Sequence, residues 1–277
     1  MLLAEIDLSS TQTIQKGTIE LSKNDVLNLF DDLKNNDNLT YHHAIFQDYA
    51  LLHFLEEFKL ETPAGKVSLS DMYSAKTANY TRFASNDVYK ESAFLHFISP
   101  YFREAYQIIN QRALEKQDRN TMLLVNQNQR FMTSNDEFDA FSRIMLSLNG
   151  KEEIAEELQA RIESGQAYVS QEVSDCSSGN LIDCLNFLPD FFENFRGIYS
   201  ISLINIGVVL HNRKRYDLAQ SVISNAQQLK VSPYYRTQLE KYYKDLVLDG
   251  PKSGYTSPNT GAGGSSVSWT TIFIILG

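Results

Sequence analysis

The chain predicts an all-α protein, an antiparallel array of helices in the manner of an α-solenoid, with a small β-hairpin at its N-terminal end. Three observations predict it. Apolar residues recur three and four apart through most of the 277 positions, the period of a helix with one buried face. Ser-x-x-Asp and Ser-Pro helix starts punctuate those runs. Between Leu203 and Ala226, small Gly207, Ala219 and Ala226 interleave with large Leu203, Ile206, Leu210, Tyr216 and Ile223, so that two helices can touch and have their flanking gaps filled.

Taken in order, residues 5–21 hold the best strand candidates, with short alternation around Ile6–Leu8 and Thr18–Leu21. Ser22-x-x-Asp25 is a capping-box start, followed by Val26, Leu27, Phe30 and Leu33 at helical spacing. A second helix is predicted over about Thr40 to Phe58, stopped by Thr62-Pro63-Ala64-Gly65. Ser68-x-x-Asp71 opens a third, and Ser85 caps a fourth containing Val88, Phe94, Leu95 and Ile98. Ser99-Pro100 reads as a cap followed by proline at the first helical position, starting a helix from Tyr101 to about Gln117. Further helices are predicted over about 121–132, over 135–148 with a stop at Asn149-Gly150, and over 151–163. The polar run 170–180 is the predicted internal boundary. After it come Leu181–Leu188, a long helix from Pro189 to about Asn212, one from Tyr216 to Lys230 and one from Ser232 to Leu248. The resulting organisation is a helical domain over 1–170, paired helices over 171–248, a Gly/Ser/Pro linker over 249–268 and an apolar end over 269–277.

Composition narrows the function. Hydrophobic residues make up 43% and aromatics 12% of the chain, enough large apolar groups to exclude a disordered polymer. A formal net charge of −9 argues against a general nucleic-acid binder, which needs a cationic face. The only tight basic run, Arg213-Lys214-Arg215, falls in a predicted inter-helix turn, where cations complement helix C-termini. Cys176 and Cys184 are too few and wrongly spaced for a disulfide scaffold, and read as reduced thiols in a reducing compartment. The start Met-Leu-Leu-Ala-Glu-Ile-Asp has no basic region before its apolar residues and does not read as a secretory signal.

Motifs that carry chemistry are not found. The five histidines do not share a helical face at ligand spacing. His53 with Glu56 and Glu57 comes closest, but Glu-x-x-His, the order that bridged metal sites on helices use, does not occur. Neither phosphate-loop, dinucleotide, zinc-protease nor nucleophile-elbow patterns occur. Asp183, Asp190 and Glu193 surround Phe187, Phe191, Phe192 and Phe195, either as a solvated helix face over a core stripe or as a carboxylate-lined pocket. No cofactor, metal or catalytic residue is predicted.

Residues 200–233 resemble a tetratricopeptide repeat. Leu203, Ile206-Gly207, Leu210, Tyr216, Ala219, Ile223 and Ala226 fall in register with its 34-residue pattern. Leu203 stands where the family usually has tryptophan, and Val231 where it has proline, with Pro233 two residues on. The resemblance implies a helical hairpin that binds peptides or proteins in a concave groove lined by its first helix. In this register the groove positions are Ile201, Ile204, Val208, His211 and Asn212. Their apolar character fits either an apolar peptide groove or burial under a neighbouring helix. The expected function is a non-enzymatic scaffold for a protein or peptide partner. The alternative is a sensory domain holding a small ligand between its helices, where the many Tyr and Phe would line a pocket.

The apolar end, Trp269 to Leu276, follows the flexible linker. It is shorter than the roughly 20 residues a spanning helix needs. It reads as the start of a membrane helix with an interfacial tryptophan, as a segment docking into a groove, or as an aggregation-prone tail. The first reading places the helical body in the cytoplasm, anchored at its C-terminus.

Overall fold

The computed structural model describes residues 6–7, 9, 11–16, 19–35, 38–58, 87–126 and 131–249. The described chain is mostly helical, with one two-stranded sheet. The helix starts expected at Ser68 and Ser85, the stop at Thr62–Gly65, nearly all of the linker and the apolar end lie outside the described residues. Among the described residues, no helix is long and apolar enough to cross a membrane. Backbone contacts divide the chain into two compact units. One comprises 1–105 with 129–136, the other 106–128 with 137–277.

In the first unit, β1 (Thr13–Lys16) and β2 (Ile19–Ser22) form an antiparallel hairpin with Thr13 opposite Ser22 and Lys16 opposite Ile19. Helix α1 (Lys23–Asn35) follows directly. Its predicted cap forms: Asp25 accepts from the Ser22 backbone N–H at 2.9 Å and hydroxyl at 2.7 Å, while the Asp25 N–H donates to the Ser22 Oγ. The single helix expected over 40–58 is two, α2 (Leu39–Gln47) and α3 (Tyr49–Glu57). Asp48 leaves the helical conformation between them, and its buried carboxylate caps α3 by accepting from the Leu51 N–H. An aspartate offers the backbone this competing bond, so it favours a cap over a helix interior. The Tyr89 hydroxyl donates to the same carboxylate at 3.1 Å.

Two predicted helix breaks do not occur. Helix α4 (Ser92–Lys116) runs straight through Pro100. Ser99 does not cap it. Its hydroxyl instead donates to Asp136, accepts from the Thr133 N–H at 2.8 Å, and so serves a different helix. Proline inside a helix costs about 3 kcal/mol, and burial of Phe94, Ile98, Phe102 and Ala105 across the break outweighs it. Helix α6 (Ser134–Ser164) likewise absorbs Asn149-Gly150. Glycine in a helix interior costs only about 1 kcal/mol against alanine, and Ile144, Leu148, Ala155, Leu158 and Ile162 keep one buried stripe on both sides of it. The stop is at Gly165, which takes φ +77°.

The second unit contains α5 (Arg119–Asn126), α7 (Ser170–Ser177), α8 (Gly179–Phe187), α9 (Glu193–Asn212), α10 (Tyr216–Ala226) and α11 (Pro233–Tyr243). The polar stretch 170–180, expected as an internal boundary, is mostly α7 and lies inside this unit, with Val173 and Cys176 buried. Glu172 holds the start of α7 by accepting from the Val169 N–H at 2.7 Å and from Arg161 at 2.5 Å. These bonds favour the charged carboxylate and hold its pKa below the ordinary value. Asp118 starts α5 by accepting from the N–H groups of Asn120 and Thr121. The long helix expected from Pro189 begins at Glu193, after a 3₁₀ turn over Asp190–Phe192. The last helix widens into a single π turn over Lys244–Leu248.

Candidate functional site

Helix α9 is apolar on nearly every side, from Phe195 to Leu210, and such a helix must be covered all round. Helix α10 covers one side. A Cβ built on Gly207 would stand 2.6 and 2.7 Å from the Ile223 Cδ1 and Cγ1, and 3.7 Å from the Ala219 carbonyl oxygen. Glycine at 207 is thus what admits the fully buried Ile223. Leu203, Ile206, Leu210, Ala219 and Ala226 are buried around that contact, and Tyr216 is partly exposed at the turn, its ring 4.9 Å from that of His211. Lys214 closes α9 in the left-handed region at φ +60°, with the Arg215 N–H donating to Leu210 O at 2.9 Å. Helix α11 covers another side. There a Cβ on Gly197 would overlap the Tyr235 ring.

The groove positions have a different fate. Ile204 and Val208 are fully buried and His211 is 5% exposed, whereas Ile201 is half-buried and Asn212 exposed. Both ends of α6 reach residues that flank α9. Phe141 near its start meets Phe192 edge to face at 5.3 Å, and the Glu163 carbonyl at its end accepts from Arg213. The face marked by Ile204, Val208 and His211 is thus buried in the chain itself, the second of the two alternatives for these positions, while Ile201 and Asn212 at its margins keep some access to solvent. An apolar face at helical spacing reads the same from sequence whether a partner or the chain itself covers it.

Several residues that bind the array together carry no sequence signal. Arg196 is 3% exposed, and its guanidinium donates to the carbonyls of Lys230 at 2.7 Å, of Leu188 and Pro189 at 3.2 Å and of Leu185 at 3.4 Å. Burial pulls its pKa down. Arg236 donates to the carbonyls of Gln227, at 2.6 Å, and Leu229. Asn186 donates to Gln228 O and accepts from the Lys230 N–H. Together they satisfy the carbonyls that the ends of α8 and α10 leave orphaned. The basic turn is engaged as well: beyond Arg213, the Arg215 guanidinium lies 5.8 Å from the Tyr168 ring centroid.

The other chemistry-bearing residues are buried or paired within the fold, or divided between core and surface. Burial pushes the Cys176 thiol up to about 11 and the Cys184 thiol to about 12, and both are free. The Tyr199 hydroxyl donates to Cys176 O at 2.7 Å. His53 is buried and sits 3.0 Å from Glu57. Among the described residues, no group of three His, Cys, Asp or Glu side chains converges as a metal site. Asp183 pairs with Arg119 at 3.0 Å. The aromatic stripe divides: Phe192 and Phe195 are core, Phe187 is half-buried, and Phe191 stands 46% exposed between exposed Asp190 and buried Phe192. Phe138 of α6, also 46% exposed, meets Phe191 edge to face at 6.4 Å. These two rings form an outward-facing phenylalanine pair on the second unit. Compared with known proteins, the chain matches no family model, no curated protein and no solved structure.

Proposed function

We propose that the chain is a non-enzymatic helical adaptor of tetratricopeptide type, which holds a partner protein and is tethered to a membrane from the cytoplasmic side by its apolar end. The observation that carries the reading is the packing of α9, α10 and α11. Three consecutive helices stacked with close contacts at Gly207 and Gly197 are what a helical-repeat unit requires of its small residues. A rigid stack of this kind presents side chains at fixed spacing, which suits recognition of another folded chain. The first-helix face is occupied from within, so the partner surface of this reading is the outer one, where Phe138 and Phe191 stand exposed.

The test is affinity capture with the full chain beside a version whose Trp269–Leu276 is replaced by Gly and Ser, followed by reassembly from purified components. One partner retained by both forms and reassembled at defined stoichiometry supports the adaptor. Loss of every partner on replacing the apolar end counts against it, and a thermal shift with a metabolite library would move the reading to a ligand sensor. Flotation with anionic liposomes tests the tether: the full chain is expected to float and the replaced form to stay in solution.

A further inference from the structure

The two exposed rings form a corner of defined geometry. Phe138 and Phe191 stand at 90° to one another with centroids 6.4 Å apart. Phe141 and Phe192 back them from the core side, at 5.1 and 5.2 Å from Phe191, so Phe191 is held in place before any partner arrives. The rim is acidic. Asp190 is wholly exposed and Glu193 exposed on either side of the 3₁₀ turn, and Glu137 and Asp139 flank Phe138 in sequence. Arg196 is buried with its guanidinium 4.0 Å from Asp190, and exposed Arg143 lies one turn after Asp139 on α6.

We propose that this corner docks an arginine-bearing segment of a partner protein. Aromatic faces carry negative potential and attract cations, and carboxylates at the rim add charge complementarity. A guanidinium fits better than an ammonium, because it is planar, stacks on a ring and gives up its hydration more readily. A second copy of this chain is a poor donor. The chain carries 25 Lys and Arg against 34 Asp and Glu, and two residues of its one tight basic run are engaged, Arg213 by Glu163 O and Arg215 at Tyr168. The inference rests on the adaptor reading and names the chemistry of its partner.

The probe is fluorescent hexa-arginine, with hexa-lysine as comparison, titrated into the full chain at near-physiological salt and read by anisotropy. Hexa-arginine is expected to bind more tightly than hexa-lysine. Phe138→Ala and Phe191→Ala are each expected to weaken hexa-arginine about threefold, and Asp190→Asn with Glu193→Gln to weaken both peptides. Phe191→Leu keeps apolar bulk without the ring and guards against a folding defect, and it is expected to behave like Phe191→Ala. Equal affinity for the two peptides, or ring variants that bind hexa-arginine like the parent, would overturn the proposal and leave only charge attraction. If that happens while the full chain still captures and reassembles with a partner, the corner fails and the adaptor stands. If the rings matter but no partner is ever reassembled, the corner stands and the adaptor fails.

Discussion

Single residues decide how closely the helices of the second unit approach. Gly207→Ala places a methyl 2.6 Å from a side chain that is itself 0% exposed, so Ile223 has nowhere to go. Overpacking of this kind costs about 1–3 kcal/mol, against roughly 1 kcal/mol gained from helix propensity. Gly197→Ala overlaps a ring that cannot bend, and α11 must shift as a whole. Urea unfolding is therefore expected to show both variants destabilised, Gly197→Ala more than Gly207→Ala. Lys214 lies at φ +60° on an exposed turn, where a Cβ costs about 1 kcal/mol that glycine avoids. Lys214→Gly is expected to raise the urea midpoint by an amount corresponding to about 0.5–1 kcal/mol. Glu152 supplies a pH signature. Burial, then the neighbouring Glu156 and Glu153, raise its pKa above the ordinary glutamate value. The native state then holds its proton at pH values where the unfolded chain has lost it, so this group's contribution to stability falls as pH rises through that window. Glu152→Gln is expected to be more stable than the parent at neutral pH, with the advantage vanishing below the ordinary glutamate range. A constant difference across the pH titration would contradict it.

Elements are joined by side chains that cap one another's ends, and Arg196 is the clearest case. Four carbonyls, one from the last turn of α8 and three from the α8–α9 and α10–α11 connections, converge on one guanidinium. Arg196→Met keeps the apolar stem but orphans them, and unsatisfied buried polar groups cost about 1–3 kcal/mol each. Chemical denaturation is expected to show a loss on the order of 3 kcal/mol or more, and Arg196→Lys to recover little of it, because one ammonium cannot span four acceptors. This contact also marks where sequence reading stops. The periodicity of Leu203, Ile206, Leu210 and Ile223 was visible because each residue reports its own face of its own helix. So was the Ser22–Asp25 cap, which lies within four residues. Arg196 reaches to Lys230, and nothing local distinguishes it from a solvated arginine. Pro100 and Gly150 failed as stops for the same reason. Their local cost is fixed by residue type, whereas the burial that overrides it comes from elements distant in sequence. The face of Ile204 and Val208 was legible as apolar, but what covers it was not.

For the molecule as a whole, the buried thiols offer a probe of how the second unit opens. Cys176 on α7 and Cys184 on α8 are 4% and 0% exposed, and both are held as thiols by burial, near 11 and 12. A thiol reacts as its thiolate, so at neutral pH each is protected twice, by lack of access and by protonation. Helix α8 meets α5 and α10, and α7 meets α10, so neither thiol can reach solvent without separation of the elements that carry the repeat-like packing. Reaction with an aromatic disulfide such as Ellman's reagent is then expected to follow opening of the unit, with both thiols appearing together. Its rate should scale with the equilibrium constant for opening where reclosure is fast. Gly207→Ala and Arg196→Met should accelerate both thiols by the same factor that they raise the unfolded population, about fivefold for each kcal/mol lost. A thiol reacting in the parent at the rate of a free peptide cysteine would mean that α7 or α8 detaches alone. The α9–α10 pair would then be the stable nucleus, with the preceding helices a frayed edge.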